Sequence, residues 1–307
     1  PGHHQAAGCG LRKCRELRIK ERKRIMTNFK MNNGNTIPAL GYGVFQMTGE
    51  EVRQHLPEAI ELGFRHIDTA NAYFNEVAVG EVVKASDIAR DEFFVTTKLF
   101  PQDYPYDKCR RDIDETLARL GMDYVDLLLF HQPYGEYVDG WKAMEEAVRA
   151  GKVRAIGLSN FNERKVRQIL GVATIKPSVL QVEINPRWNQ HPLKEALAAE
   201  NLVYEGWYPL GHGDRELLSL PIFATLAKKY GKSASQVILR WHIQEGNVVF
   251  PKTLNPQHMA ENIDLFDFAL TDKEMTEINA LPQEPYYHVP DEAPAWVWGP
   301  NDYSKQR

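Results

Sequence analysis

Four residues in the first half of this 307-residue chain could together move a proton: Asp68, Tyr73, Lys98 and His131. Three of them close apolar runs: Asp68 in His66-Ile67-Asp68, Lys98 in Phe93–Lys98 and His131 in Val125–His131. Tyr73 follows Asp68 by five residues. Each alone has an ordinary reading, since a terminal Asp caps helices, a Lys is solvated, a Tyr packs and a His satisfies a backbone group. As a set they make an acid. A phenol has a pKa near ~10, and lowering that value towards neutral makes it a readier proton donor. A neighbouring ammonium favours the phenolate, and a carboxylate holds the ammonium in place. A neutral imidazole can then orient a carbonyl oxygen by hydrogen bonding. The residue types therefore predict a Tyr73 tuned below its ordinary pKa.

Such a set needs a frame that ends several strands at one rim. From about residue 40, short apolar runs alternate with helical patterns. The strand candidates are Leu40–Phe45, His66–Asp68, Phe93–Lys98, Val125–His131, Ala155–Ser159, Val179–Ile184, Val203–Trp207 and Val248–Pro251. Continuous apolar runs such as Val125-Asp126-Leu127-Leu128-Leu129-Phe130 fit strands buried on both faces. Lys108–Leu120, Val138–Ala150 and Glu163–Leu170 carry apolar stripes at helical spacing. Gly121, Gly151 and Gly231 fall where C-terminal caps belong. The pattern predicts an α/β chain folded as a (β/α)8 TIM barrel, in which active residues sit at the C-terminal ends of the strands. Two short extended runs around Asn33-Gly34 predict an N-terminal β-hairpin closing the barrel bottom. Helical patterns at Pro221–Tyr230 and Ser233–Gln244 are one more than strict alternation needs. After Leu281 the chain is Pro- and aromatic-rich without period, which predicts an irregular C-terminal lid loop. A doubly wound open sheet is the alternative. Gly41-Tyr42-Gly43 lacks the third glycine and helix start of that fold's nucleotide fingerprint.

Composition narrows the function. With 43% hydrophobic and 25% charged residues, the chain can bury a large core and is not disordered in bulk. Residues 1–25 hold eight Lys/Arg against two Glu, while the whole chain carries −4, so the remainder is acidic. Pro1-Gly2-His3-His4 and the late Met26 suggest that 1–25 is a vector-derived or disordered tail, with 26–307 a single domain. An acidic body argues against nucleic-acid binding. Cys109 alone among the body's residues is a cysteine, which points to a reducing compartment and a cytoplasmic protein. No run is long enough to span a membrane, and no long exposed apolar stretch demands a partner, so a monomer is expected. Clustered His, Asp or Glu metal ligands are not seen, and neither is Gly-x-Ser-x-Gly, so a metal-dependent or nucleophilic hydrolase is disfavoured.

Three blocks resemble the aldo-keto reductase family: Gly63–Ala70 with Tyr73-Phe74-Asn75-Glu76 and Val79-Gly80; Val153–Phe161; and Val249–Thr253 with Glu261-Asn262. The closest likeness is to the bacterial-type branch of 2,5-diketo-D-gluconate and prostaglandin F synthase-like reductases, through Trp207 and Val237-Ile238-Leu239-Arg240-Trp241-His242. The resemblance implies reduction of aldehydes or ketones by hydride from NADPH, with Tyr73 as general acid, Lys98 and Asp68 tuning it and His131 positioning the substrate. It implies that Ser159, Asn160 and Gln181 hold the nicotinamide carboxamide and that Trp207 stacks on the ring, with Tyr208 and Leu210 following. Lys252, Thr253, His258, Glu261 and Asn262 would meet the 2′-phosphate and adenine. His258 stands where the family usually has Arg, so a weaker NADPH preference and some use of NADH are expected. Phe45, Gln46, Phe100, Gln132, Trp296 and Trp298 would line the substrate pocket, with Tyr286, Tyr287 and His288 as further candidates. Expected substrates are small carbonyls such as methylglyoxal, diketo sugar acids or aryl aldehydes, with prostaglandin-type ketones second. The alternative is a cofactor-binding sensor or subunit with little turnover, which would be expected to lose residues of the catalytic four.

Overall fold

The structure, a computed structural model, describes residues 27–299. The tail expected at 1–25 and the last residues of the chain lie outside these. Eight strands pair in parallel and in chain order: β3 (Gly41–Gly43), β4 (His66–Asp68), β5 (Phe94–Leu99), β6 (Leu127–Phe130), β7 (Ile156–Ser159), β8 (Val179–Glu183), β9 (Val203–Trp207) and β10 (Asn247–Val249). A parallel bridge between Leu40 and Val249 joins the first to the last, so the sheet closes on itself. Closure removes both sheet edges. The eight strands are those expected from the sequence, several of them shortened at one or both ends.

The antiparallel hairpin of β1 (Asn28–Lys30) and β2 (Thr36–Pro38) sits below the barrel. Its link is a five-residue loop rather than a two-residue Asn-Gly turn, because the last pair is Lys30 with Thr36. Gly34 in that loop takes φ +91°, a conformation that side chains with a Cβ disfavour. Phe29, Met31 and Ile37 pack upward against Phe94, Leu127, Leu129, Val179, Val203, Val248 and Phe250, which fill the lower barrel.

Strand side chains alternate between faces. Above this apolar layer the same inward face therefore carries Asp68, Lys98, Gln181 and Glu205, all buried. The barrel is dry below and polar above.

Helices cover the outside: α1 (Gly49–Leu62), α2 (Glu76–Ala85), α3 (Tyr106–Leu120), α4 (Tyr137–Arg149), α5 (Glu163–Leu170) and α6 (His191–Ala196). Between β9 and β10 come α7 (Arg215–Leu218), α8 (Pro221–Tyr230) and α9 (Ala234–Gln244), and after β10 come α10 (Pro256–Ile263) and α11 (Asp272–Asn279). The helical surplus before the last strand is thus real, and α7 adds a further single turn.

The segment from Tyr286 to Gly299 crosses the C-terminal rim with only a short turn at Ala295–Trp298. It is fastened rather than loose. Glu183 at the end of β8 accepts the backbone N–H groups of Tyr286 (2.8 Å) and Tyr287 (3.0 Å). The Tyr134 hydroxyl donates to the Pro290 carbonyl (2.9 Å), Lys165 donates to that of Asp291 (3.0 Å) and Gln102 to that of Val297 (3.0 Å).

Candidate active site

Lys98, the penultimate residue of β5, points inward and is 0% exposed. A buried ammonium must spend its three protons on acceptors. It donates to Asp68 Oδ1 (2.7 Å), to the Thr69 carbonyl (2.9 Å) and to the Tyr73 hydroxyl (3.2 Å). Burial pulls the Lys98 pKa down, yet Asp68 and Tyr73 outweigh it and the net shift is upward. The ammonium stays charged.

Tyr73 ends a short 3₁₀ turn, Asn71–Tyr73. Such a turn holds a catalytic side chain only if it is bolted to the scaffold. Asn75 donates to the carbonyls of Val44 and Met47 (both 2.9 Å) and accepts from the Thr69 hydroxyl (2.7 Å). Asn71 donates to Asp103 (3.0 Å). The buried Glu76 accepts from Thr97 Oγ1 (2.6 Å) and Arg119 Nε (2.7 Å). The Tyr73 hydroxyl is thereby fixed over Lys98.

Its titration departs from the expectation drawn from sequence. Burial raises the Tyr73 phenol above its ordinary value, Lys98 pulls it back and Asp68 raises it again, and the net shift is upward. The reason is physical: the ammonium's help is offset by desolvation and by the carboxylate that holds the ammonium itself. Tyr73 is therefore a proton-bearing group throughout the neutral range.

His131 follows β6, with its ring 5.5 Å from that of Tyr73 and 5.7 Å from that of Phe100, both edge-on. Burial and then the Lys98 charge hold it well below the usual imidazole range, so the ring is neutral. Its Nδ1 is buried with no partner.

These groups floor a cavity of about 540 Å³. Of the residues expected at the site, Phe45, Tyr73, Phe100, His131, Gln132, Ser159, Asn160, Gln181, Trp207, Tyr208, Tyr287 and Trp296 line it, joined by Ala72. Asp68 and Lys98 stand just behind. Gln46 does not line it: the residue is exposed with φ +58°, turned out by the loop after β3. Trp298 does not line it either, being 51% exposed and lying over Gly135. Leu210 packs on the main core instead of facing the cavity.

Asn160 organises the polar wall. It sits at φ +67°, which Asn tolerates better than most residues. Its amide donates to the His131 carbonyl (3.1 Å), Gln132 Oε1 (3.3 Å) and Ser159 Oγ (3.3 Å), and its Oδ1 accepts from Trp207 Nε1 (2.8 Å). The indole is locked by that bond. Tyr208, at φ +51°, lies edge-on to Trp207 (4.8 Å) and stacks with His212 (4.3 Å). A flat apolar wall at Trp207 facing a polar edge of Ser159, Asn160 and Gln181 fits a planar ring that bears a carboxamide.

Lys252 and Thr253 follow β10, and His258, Glu261 and Asn262 lie on α10; none of them lines the cavity, and Asn262 is buried. Lys252 and His258 are exposed, and Thr253 Oγ1 accepts from the Asn255 N–H (3.1 Å). The N-terminus of α10 opens here, a setting suited to phosphate.

The chain matches the aldo/keto reductase family over residues 39–283. It belongs to that family. A morphine 6-dehydrogenase of Pseudomonas putida is 44% identical over 265 residues, covering 82% of this chain and 90% of that protein. A glyoxal reductase of Bacillus subtilis is 41% identical over 254 residues, covering 82% and 91%. A solved aldo-keto reductase complexed with NADPH superposes with a TM-score of 0.79 at 30% identity, covering 84% of this chain and 88% of that one. As a member, the chain is an NADP(H)-dependent oxidoreductase that reduces carbonyl groups. Among the described residues no helix is long and apolar enough to cross a membrane, and no three His, Cys, Asp or Glu side chains gather as metal ligands.

Residues that sequence reasoning did not single out are Glu205 and His212, together with the bolts Asn71, Asn75 and Glu76. Asn75 and Glu76 lie in a family block, which was a signal. Glu205 had none.

Proposed function

We propose that Tyr73 is the general acid of this reductase, that Lys98 and Asp68 set its proton affinity, and that neutral His131 orients the substrate carbonyl. The observation that carries this reading is the Tyr73 hydroxyl, 3.2 Å from the Lys98 ammonium at the floor of an aromatic cavity. When bound, the reduced nicotinamide supplies the hydride. Trp207 would give it a stacking face, and Ser159, Asn160 and Gln181 would hold its carboxamide. As negative charge grows on the carbonyl oxygen, Tyr73 releases its proton to it, and the phenolate left behind is stabilised by Lys98. His131 donates a second hydrogen bond to the same oxygen without changing charge.

The substrate we favour is an aldehyde or ketone with a flat apolar arm, such as an aryl aldehyde, ahead of methylglyoxal and diketo sugar acids. Phe45 lies 4.9 Å from Tyr73 and Trp296 lies 6.2 Å from Phe100, and Phe45, Tyr287 and Trp296 are each at least 40% exposed. Exposed aromatic rings around a mouth gain by stacking on a planar guest, about 0.5–1.5 kcal/mol per pair. With NADPH as donor, kcat/KM for a benzaldehyde should exceed that for methylglyoxal by about tenfold or more, as two such contacts imply. Equal values, or a preference for methylglyoxal, would overturn the substrate reading and leave the chemistry standing.

At the adenine end, Lys252 and Thr253 would hold a 2′-phosphate, with His258 supplying no rigid bidentate cation. His258→Arg should therefore raise the ratio of NADPH to NADH kcat/KM by about tenfold, the worth of one charge-assisted bond. A ratio that does not move would place the phosphate elsewhere. We place the enzyme in the cytoplasm as a monomer; the single body cysteine, Cys109, supports the reducing compartment.

A further inference from the structure

Glu205 is a carboxyl group on the inward face of β9, 0% exposed, in a layer that rests on Val203 and Val248. An apolar side chain would pack there without loss, whereas a buried carboxyl costs several kcal/mol unless it is hydrogen-bonded. Its position gives it a partner. The register sets Glu205 directly across from Gln181, and Gln181 Nε2 donates to Glu205 Oε2 (2.8 Å) and to Asp68 Oδ2 (3.0 Å). Asp68 is ion-paired to Lys98 and can only accept, so it is the amide nitrogen of Gln181 that turns inward. Both amide hydrogens are then taken, and the amide oxygen is left for the cavity that Gln181 lines. The other carboxyl oxygen of Glu205, Oε1, has no partner. Burial, and after it the charge of Asp68, pushes Glu205 up to about 8, against the pull of Gln181 and Lys98. At neutral pH it is mainly an uncharged acid, adding a hydrogen-bond acceptor but little charge beside Asp68.

We propose that Glu205 is a positioning residue for the coenzyme: with Asp68 it clamps the Gln181 amide, so that the amide oxygen is held facing a cofactor carboxamide. The inference rests on the reading that Gln181 meets the nicotinamide. With Asp68 alone, the Gln181 amide swivels about a single bond and its oxygen loses its fixed direction. Tyr73, Lys98 and His131 touch Glu205 through none of their hydrogen bonds, so the effect falls on coenzyme binding rather than on proton transfer.

The test is titration calorimetry of the full chain with NADPH and with NADP+, read beside the thermal midpoint and the carbonyl KM. Glu205→Leu keeps the volume and removes the acceptor; it should bind both coenzymes about tenfold more weakly, the worth of one buried hydrogen bond. The KM for the carbonyl should stay within about twofold. Glu205→Gln restores an uncharged acceptor oxygen and should return binding to within about twofold of wild type. In a Gln181→Leu background, Glu205→Leu should add nothing further, since the residue acts through Gln181. Wild-type affinity in Glu205→Leu, equal losses in Glu205→Leu and Glu205→Gln, or additive losses in the double variant would each overturn the proposal. If Glu205→Leu does not fold, Glu205→Met is read in the same way. A wild type that binds neither coenzyme would overturn the functional reading and this one together; binding by wild type with no change in the variants overturns this one alone.

Discussion

Tyr73→Phe is expected to lower kcat/KM for aldehyde reduction by about 10³-fold, inside the ~10²–10⁴ span of general acid catalysis. NADPH should bind with unchanged affinity, because the hydroxyl faces Lys98 and the carbonyl site rather than the polar edge at Ser159, Asn160 and Gln181. The ring remains, so its packing on Phe45 and His131 is preserved. Calorimetry for the coenzyme and steady-state rates for the aldehyde separate the two effects. A variant that retains a tenth of the activity would remove Tyr73 from the role of acid and hand it to His131 or to water.

The same residue sets a pH signature with a definite sign. Reduction needs the phenol protonated, and burial moves its pKa upward despite Lys98. A raised value keeps the acid form complete through the neutral range, so the reduction rate should be flat from about pH 6 to about pH 9 and fall only as pH passes the raised phenol value. Alcohol oxidation needs the phenolate and should climb over that same high range. A reduction rate that declines already through pH 7 would mean that Lys98 dominates over burial, the order that residue types alone suggested.

That contrast shows where the sequence stops being informative. The strands were legible because their apolar runs are buried on both faces, and Asp68, Lys98 and His131 stand at the ends of those runs. Tyr73 was legible through the block that follows Asp68. The net direction of the Tyr73 shift was not, since it depends on how much water the packing of Phe45, Phe100 and Trp296 excludes. Glu205 was hidden for a related reason. In Val203-Tyr204-Glu205-Gly206-Trp207 a polar residue at alternate spacing reads equally as an outward position. Only the pairing of Gln181 with Glu205, together with the inward layer of Val179, Val203 and Val248, fixes it inside. Gln46 and Trp298 mark a second limit. Both lie in irregular segments, where a backbone angle such as φ +58° at Gln46 decides which way a side chain points.

The other large effect is on stability as well as rate. Lys98→Met removes a fully buried ammonium and leaves the Asp68 carboxylate, 5% exposed, with Gln181 as its remaining side-chain partner. Breaking one half of a buried pair typically costs about 3–5 kcal/mol, because an uncompensated charge stays behind, and that loss should appear as a clear fall in the denaturant midpoint. Reduction should collapse with it, since the phenol loses the group that opposes burial and the phenolate formed in the step loses its counter-charge. The pair itself is a different matter. Taking both charges out of water is nearly as unfavourable as their attraction is favourable, so Asp68→Leu with Lys98→Met should be more stable than Lys98→Met alone while remaining inactive. A more stable, dead enzyme is the expected outcome. It would mean that the loss in Lys98→Met comes from the stranded Asp68 carboxylate and not from the pair's own worth to the barrel. If the double variant is instead less stable than Lys98→Met, the pair is a structural element in its own right, and its tuning of Tyr73 is secondary.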